Sequence, residues 1–105
     1  MFMPTDDAAR HDRIVAAMLA TAKHVAVAEW DALWAFDSTE AAAACTVPAM
    51  YIGSHSPVAD LNRVRAAMPK AIVGQTAGAG HLHQLEVPDQ VNAMIDRFLT
   101  INARA

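Results

Sequence analysis

Residues 78–88 have the sequence GAGHLHQLEVP and lie between a short apolar run and a strongly patterned C-terminal segment. Glycines on both sides of Ala79 free the backbone for conformations that other residues rarely adopt. His81 follows them directly, and histidine gains or loses a proton near neutral pH. In α/β proteins, functional side chains often lie on such loops, at the carboxyl end of a strand. This stretch, here called the histidine loop, therefore predicts an α/β fold with His81 as its candidate functional residue.

Two short strands are predicted upstream of this loop. The apolar run at 46–53 has Pro48 near its start and closes with Gly53, which is typical of a buried strand. A second run follows at 71–76. A strand, a helix and a strand in this order predict a parallel pair joined by a right-handed crossover.

The helices of this β-α-β-α unit are predicted from apolar periodicity. Residues 58–68 form an amphipathic pattern, and Ser56 followed by Pro57 suits its N-cap and first helical position. Pro88 begins the last helix, in which apolar residues recur at i, i+3, i+4, i+7 and i+8 from residue 91. A frayed tail is expected after residue 101.

The N-terminal third predicts further helices. Thr5 suits an N-cap with two acids after it, and an apolar stripe then runs from 14 to 22. A break near residues 22–24 indicates either a bend between two helices or a rotated stripe along one. Trp30 and Trp34 then lie one turn apart. They are predicted to be core or interface anchors, and a role in lining a substrate is the second choice.

A short helix is predicted to follow these two. Asp37 suits its N-cap, with Glu40 at the third helical position of a capping box.

Composition excludes several classes of protein. Apolar residues make up 54% of the 105 residues and charged residues 18%, which excludes a disordered chain. The net charge is −3 and the eight basic residues are scattered, so no nucleic-acid partner is expected. One cysteine, no signal peptide and no apolar run of about 20 residues predict a cytoplasmic protein without a membrane partner.

His81 admits two interpretations from its surroundings. It is either a general base beside a substrate or a loop histidine that bonds a carbonyl group and shapes the turn. His81 and His83 form an H-x-H pair, but the further ligands of a metal site lie at no recognisable spacing. No nucleotide-binding glycine motif is present, so neither a metal nor a cofactor is predicted.

The order of these features resembles the C-terminal end of the α/β-hydrolase family over roughly residues 37–99. That family carries a V-P start to a strand ending near glycine, a helix ending in proline, a second strand, and G-x-G-H-x-x-x-x-E-x-P before a V-N-x-x-I-x-x-F-L helix. The matching positions here are Val47-Pro48, Gly53, Met68-Pro69, Gly78-Ala79-Gly80-His81, Glu86, Pro88, Val91-Asn92, Ile95 and Phe98-Leu99.

The resemblance implies a partial hydrolase fold. By this resemblance, His81 occupies the position of the catalytic histidine, and Glu86 has a structural role. The helices of residues 1–36 resemble the end of a lid, and residues 37–105 complete a single partial domain. The family often puts its catalytic acid three places past the glycine, which is Ser56 here, and the nearest acid is Asp60. Asp60 is therefore either the orienting acid or a residue that caps the helix. The acid could also come from outside the chain.

The nucleophile elbow G-x-S-x-G is missing from these 105 residues. The resemblance therefore implies a hydrolase fragment that carries the base for ester or similar acyl hydrolysis but does not catalyse it alone. The alternative is a non-catalytic α/β module that associates with itself. In both cases the exposed strand edges predict a partner, either a second copy or the remainder of a hydrolase fold.

Overall fold

The computed structural model describes residues 1–103, which form a mixed α/β chain of six helices and one two-stranded parallel sheet. In chain order the elements are α1 (Ala8–Leu19), α2 (Lys23–Ala35), α3 (Ser38–Ala44), β1 (Met50–Gly53), α4 (Leu61–Ala67), β2 (Ile72–Gln75), α5 (His83–Glu86) and α6 (Pro88–Asn102). Of the tail predicted after residue 101, Asn102 is instead the last residue of α6 and Ala103 is its C-cap, whereas residues 104 and 105 lie outside the described residues.

The sheet confirms the predicted parallel pair. Its register runs from Met50 opposite Ile72 to Gly53 opposite Gln75, and α4 makes the crossover between the strands. Both strands therefore end at the same edge, and the histidine loop leaves from that edge.

Two of the predicted helix starts are confirmed. The Asp37 carboxylate accepts hydrogen bonds from the backbone N–H groups of Thr39 at 2.9 Å and Glu40 at 3.1 Å, as expected of an N-cap. Pro88 is the first residue of α6, where its missing N–H is not needed. The break near residue 22 is a true separation, since α1 ends at Leu19 and α2 begins at Lys23.

Two other predicted starts are wrong. The N-cap of α1 is Asp7, whose carboxylate accepts from the Arg10 N–H at 2.8 Å, while the Thr5 hydroxyl donates to the Gly78 carbonyl oxygen instead. Helix α4 begins at Leu61 and not at Pro57, because Asp60 provides the cap. In both cases an aspartate closer to the helix supplies the acceptor.

The buried interior is small and lies around the strand ends. Ala79 and Val91 are its buried apolar residues within 1–103, beside buried Ser54 and Thr76. No residue of α1 or α2 is buried. Trp30 and Trp34 contact each other edge to face, with their ring centroids 5.9 Å apart. The two residues are 60% and 73% exposed, so they are not core residues of this chain. Their role as interface anchors stays a prediction.

Candidate functional site

A tight glycine turn starts the histidine loop. Gly78 has φ of 70°, in the left-handed region that favours glycine, so the predicted need for backbone freedom is confirmed at this residue. The Gly78 N–H donates to Nδ1 of His55 at 3.2 Å, and the His55 N–H donates to the Ala79 carbonyl oxygen at 3.1 Å. His55 therefore bonds to the histidine loop through both its ring and its backbone. It fastens the loop after β1 to the histidine loop.

The tautomer of His55 follows from this contact. A backbone N–H can only donate, so Nδ1 of His55 must be unprotonated and the ring proton of its neutral form lies on Nε2.

Further bonds hold the carboxyl ends of the two strands together. The Thr76 N–H donates to the Gly53 carbonyl oxygen at 2.9 Å. The Gln75 side-chain amide donates to the carbonyl oxygens of Ser54 and His55 at 3.0 and 2.9 Å. These bonds fix the backbone from which the histidine loop departs.

Ala77, the second residue after the end of β2, is held in place by α6. The side-chain amide of Gln90 accepts from the Ala77 N–H at 2.8 Å and donates to the Ala77 carbonyl oxygen at 3.1 Å. The last helix therefore also positions the chain just before Gly78.

The His81 ring is free. The residue is exposed, and its ring makes no hydrogen bond to any other part of residues 1–103, whereas its backbone N–H donates to the Met1 carbonyl oxygen at 2.6 Å. The structure thus fixes the backbone of His81 and leaves both ring nitrogens open to an incoming group. A general base needs an accessible ring nitrogen of this kind.

Asp60 lies at the start of α4. Its Oδ1 accepts from the Asn62 N–H at 2.9 Å, which makes it the helix cap, one of the two roles predicted for it. No hydrogen bond within residues 1–103 joins Asp60 to His81, and Oδ2 of Asp60 has no bonding partner there. Within the described residues, the orienting hydrogen bond implied for Asp60 is therefore not formed.

His83, the second histidine of the pair, points back to the sheet. Its Nδ1 lies 3.0 Å from Oγ1 of buried Thr76. Burial lowers the pKa of His83, and the nearby charge of His81 lowers it further. His83 is therefore held in its neutral form more strongly than a free histidine.

An N-terminal strap, residues 1–7, covers the other side of the loop. Met1 accepts from the His81 N–H, and the Thr5 hydroxyl donates to the Gly78 carbonyl oxygen at 3.2 Å. A Cβ atom on Gly80 would lie 2.9 Å from Oδ2 of Asp6 and even closer to the Met1 carbonyl oxygen. Only glycine therefore lets the strap approach the loop this closely.

Glu86 anchors the strap and α1. Its side chain is 4% exposed, and Oε2 accepts from Nη1 of Arg10 at 3.1 Å and from the Asp7 N–H at 3.3 Å. Oε1 is buried and has no hydrogen-bond partner among residues 1–103. These contacts agree with the structural role implied for Glu86.

Two other features are absent from residues 1–103. That range contains no group of three or more histidine, cysteine or acidic side chains placed to hold a metal ion. It also contains no helix that is long and apolar enough to cross a membrane.

Comparison of the chain with protein families, curated proteins and solved structures gave no match.

Proposed function

We propose that this chain is the C-terminal part of an α/β-hydrolase fold and that His81 is its general base. The observation that carries the proposal is the position of His81. It is exposed, follows a left-handed glycine turn after the second of two parallel strands, and makes no ring hydrogen bond within residues 1–103. The sequence order from Val47-Pro48 to Phe98-Leu99 supports the same assignment.

The proposed chemistry is acyl transfer to a serine. In the completed enzyme, His81 takes the proton of a serine hydroxyl as the oxygen attacks an ester or similar acyl carbon, and then returns it to the leaving group. Asp60 is the proposed orienting acid. It would serve through Oδ2, since Oδ1 caps α4.

The isolated chain is expected to be inactive, because it supplies a base without the G-x-S-x-G nucleophile. Purified protein should hydrolyse activated esters no faster than its His81→Ala variant. Robust turnover by the 105-residue chain that disappears in His81→Ala would refute the claim that the nucleophile lies elsewhere.

A second proposal is a self-associating α/β module. An exposed apolar surface at the end of α2 favours this function. Its residues are 60–73% exposed: Trp30, Leu33 and Trp34 on α2, and Phe36 directly after it. Two strands with so small a buried interior are marginal in isolation, and association is the usual remedy. A second copy or the remainder of the fold would cover this surface.

Light scattering tests the second proposal. The molar mass should rise with concentration in the micromolar range, and Trp34→Ser should weaken the association. Val58→Ser is the matched control, because Val58 is 84% exposed in the loop before α4. A well-folded monomer at all concentrations would contradict the proposal.

A further inference from the structure

His55 ties the turn after β1 to the histidine loop by two bonds that differ in their chemistry. Its backbone N–H donates to the Ala79 carbonyl oxygen at 3.1 Å, and its ring accepts from the Gly78 N–H at 3.2 Å. The backbone bond is the same at every pH of interest, because neither of its groups titrates. The ring bond requires an unprotonated Nδ1, since an N–H group can only donate. This pair of bonds is here called the His55 clip.

The ring bond of the clip holds the most constrained turn of the loop. Among residues 1–103, only Gly78 has a positive φ, of 70°. The chain on either side of it is anchored by groups that carry no charge. The Gln90 amide holds Ala77, and the Met1 carbonyl oxygen receives the His81 N–H. The Gly78 N–H is therefore the point at which a change of charge can act on the turn.

No acidic side chain in residues 1–103 forms an ion pair with the ring of His55. The residue is exposed, and its other bonded neighbour is neutral, because the Gln75 side-chain amide donates to the His55 carbonyl oxygen at 2.9 Å. The titratable or charged side chains on the adjoining elements make their bonds elsewhere or make none within that range: Asp60 and Arg65 at α4, His81 and His83 after β2, and Asp6 in the strap.

A proton taken from water by Nδ1 removes the acceptor and sets one N–H group against another. Histidine undergoes this change between about pH 8 and pH 5. We propose that His55 is a pH-sensitive positioning residue, whose neutral ring holds the Gly78 turn closed and whose protonation releases it. The bond to Ala79 persists, so the release is local. His81 follows Gly78 by three residues, and the release changes how the loop presents its ring.

This inference goes beyond the proposed function and does not rest on it. It concerns the geometry of the histidine loop, and its tests measure no ester turnover. It therefore stands or falls whether or not His81 is a general base.

Nuclear magnetic resonance of the isotope-labelled parent chain tests the clip directly. At about pH 8 the His55 ring should carry its proton on Nε2, and a scalar coupling should join Nδ1 to the Gly78 amide nitrogen across the hydrogen bond. The coupling should vanish by about pH 5, and the Gly78 amide signal should shift with the same midpoint as the His55 ring. After correction for the intrinsic effect of pH, protection of that amide from hydrogen exchange should fall about fivefold, as expected for loss of one hydrogen bond.

His55→Asn separates the bond from the charge. The asparagine side-chain oxygen can accept from the Gly78 N–H as Nδ1 does, but it does not titrate, so the Gly78 amide should stay protected in acid. His24→Asn is the matched control, because His24 is an exposed histidine on α2, and it should leave the Gly78 transition unchanged. His83→Gln should also leave it unchanged, since the His83 ring contacts Thr76.

Three results would overturn the proposal. They are a neutral His55 ring with its proton on Nδ1, a Gly78 amide that does not respond when His55 titrates, and a transition that persists in His55→Asn or disappears in His83→Gln. Circular dichroism establishes that each variant is folded. Should His55→Asn fail to fold, the tautomer, the coupling and the shared midpoint in the parent chain still decide the matter.

Discussion

Replacement of Arg10 by methionine should destabilise the chain through the carboxylate that it leaves behind. Methionine keeps much of the apolar stem but removes the guanidinium that lies 3.1 Å from Oε2 of Glu86. The Glu86 side chain is 4% exposed, and its other oxygen, Oε1, already has no partner in the part of the chain that the structure describes. The remaining bond, from the Asp7 N–H, is long at 3.3 Å. Glu86 would therefore be a buried charge with one weak donor.

The magnitude follows from the burial of both partners. Breaking a fully buried ion pair by removing one partner costs about 3–5 kcal/mol. The Arg10 side chain is 35% exposed, so water can replace part of its contribution, and we expect a loss of about 2 kcal/mol. Glu86→Gln in the same background should recover about 1 kcal/mol, because an amide needs no opposite charge.

Urea unfolding followed by circular dichroism measures these differences. Arg13→Met is the matched control, since Arg13 is an exposed arginine on the same helix, and it should change the unfolding free energy by less than about 0.5 kcal/mol. A loss in Arg10→Met no larger than in this control would refute the reasoning that Glu86 is held by Arg10.

Three further predictions concern the loop and its supports. The pKa of His83 is lowered by burial, so the stability from its neutral ring is fully present above the ordinary pKa of 6.5 and is lost as the pH falls from there toward the lowered value. His83→Gln should flatten that part of the curve of stability against pH. An unchanged curve in this variant would contradict the prediction. Gly78→Ala should cost about 1–2 kcal/mol in thermal or urea unfolding from left-handed strain alone, since no atom lies within 4 Å of the added Cβ, and Gly78→Asn should cost less. Asp60→Ala should cost about 1 kcal/mol by loss of the α4 cap while Asp60→Asn is nearly neutral, and equal losses in both would argue against a capping role.

The features that the sequence predicts well are those set by neighbouring residues. The cap at Asp37, the first-turn proline at residue 88 and the glycine turn at residue 78 each depend on local backbone geometry. The parallel strand pair follows from the order of apolar runs, because a strand, helix and strand leave few alternatives.

The starts of α1 and α4 were harder to predict because several capping residues compete there. Thr5 precedes Asp7 by two residues, and the choice depends on a contact to Gly78 that lies 73 positions away. Ser56 and Asp60 compete in the same way, and Asp60 is the residue adjacent to α4.

The supports of the candidate site depend on distant partners. Nothing near His55 in sequence indicates that its ring accepts from Gly78, and nothing near Met1 indicates that its carbonyl receives the His81 N–H. Apolar stripes on α1 and α2 predicted helices correctly but not their exposure, because periodicity does not say what covers a helix face.

The most direct test of the central proposal supplies the missing nucleophile. An α/β-hydrolase truncated before its own histidine loop would be co-expressed with this chain, and ester turnover would be measured in the purified mixture. We predict turnover that requires His81, with none from His81→Ala and undiminished turnover from His83→Gln, because His83 faces Thr76. A complex that forms but shows no turnover, or equal turnover with His81→Ala, would contradict the assignment of His81 as the general base.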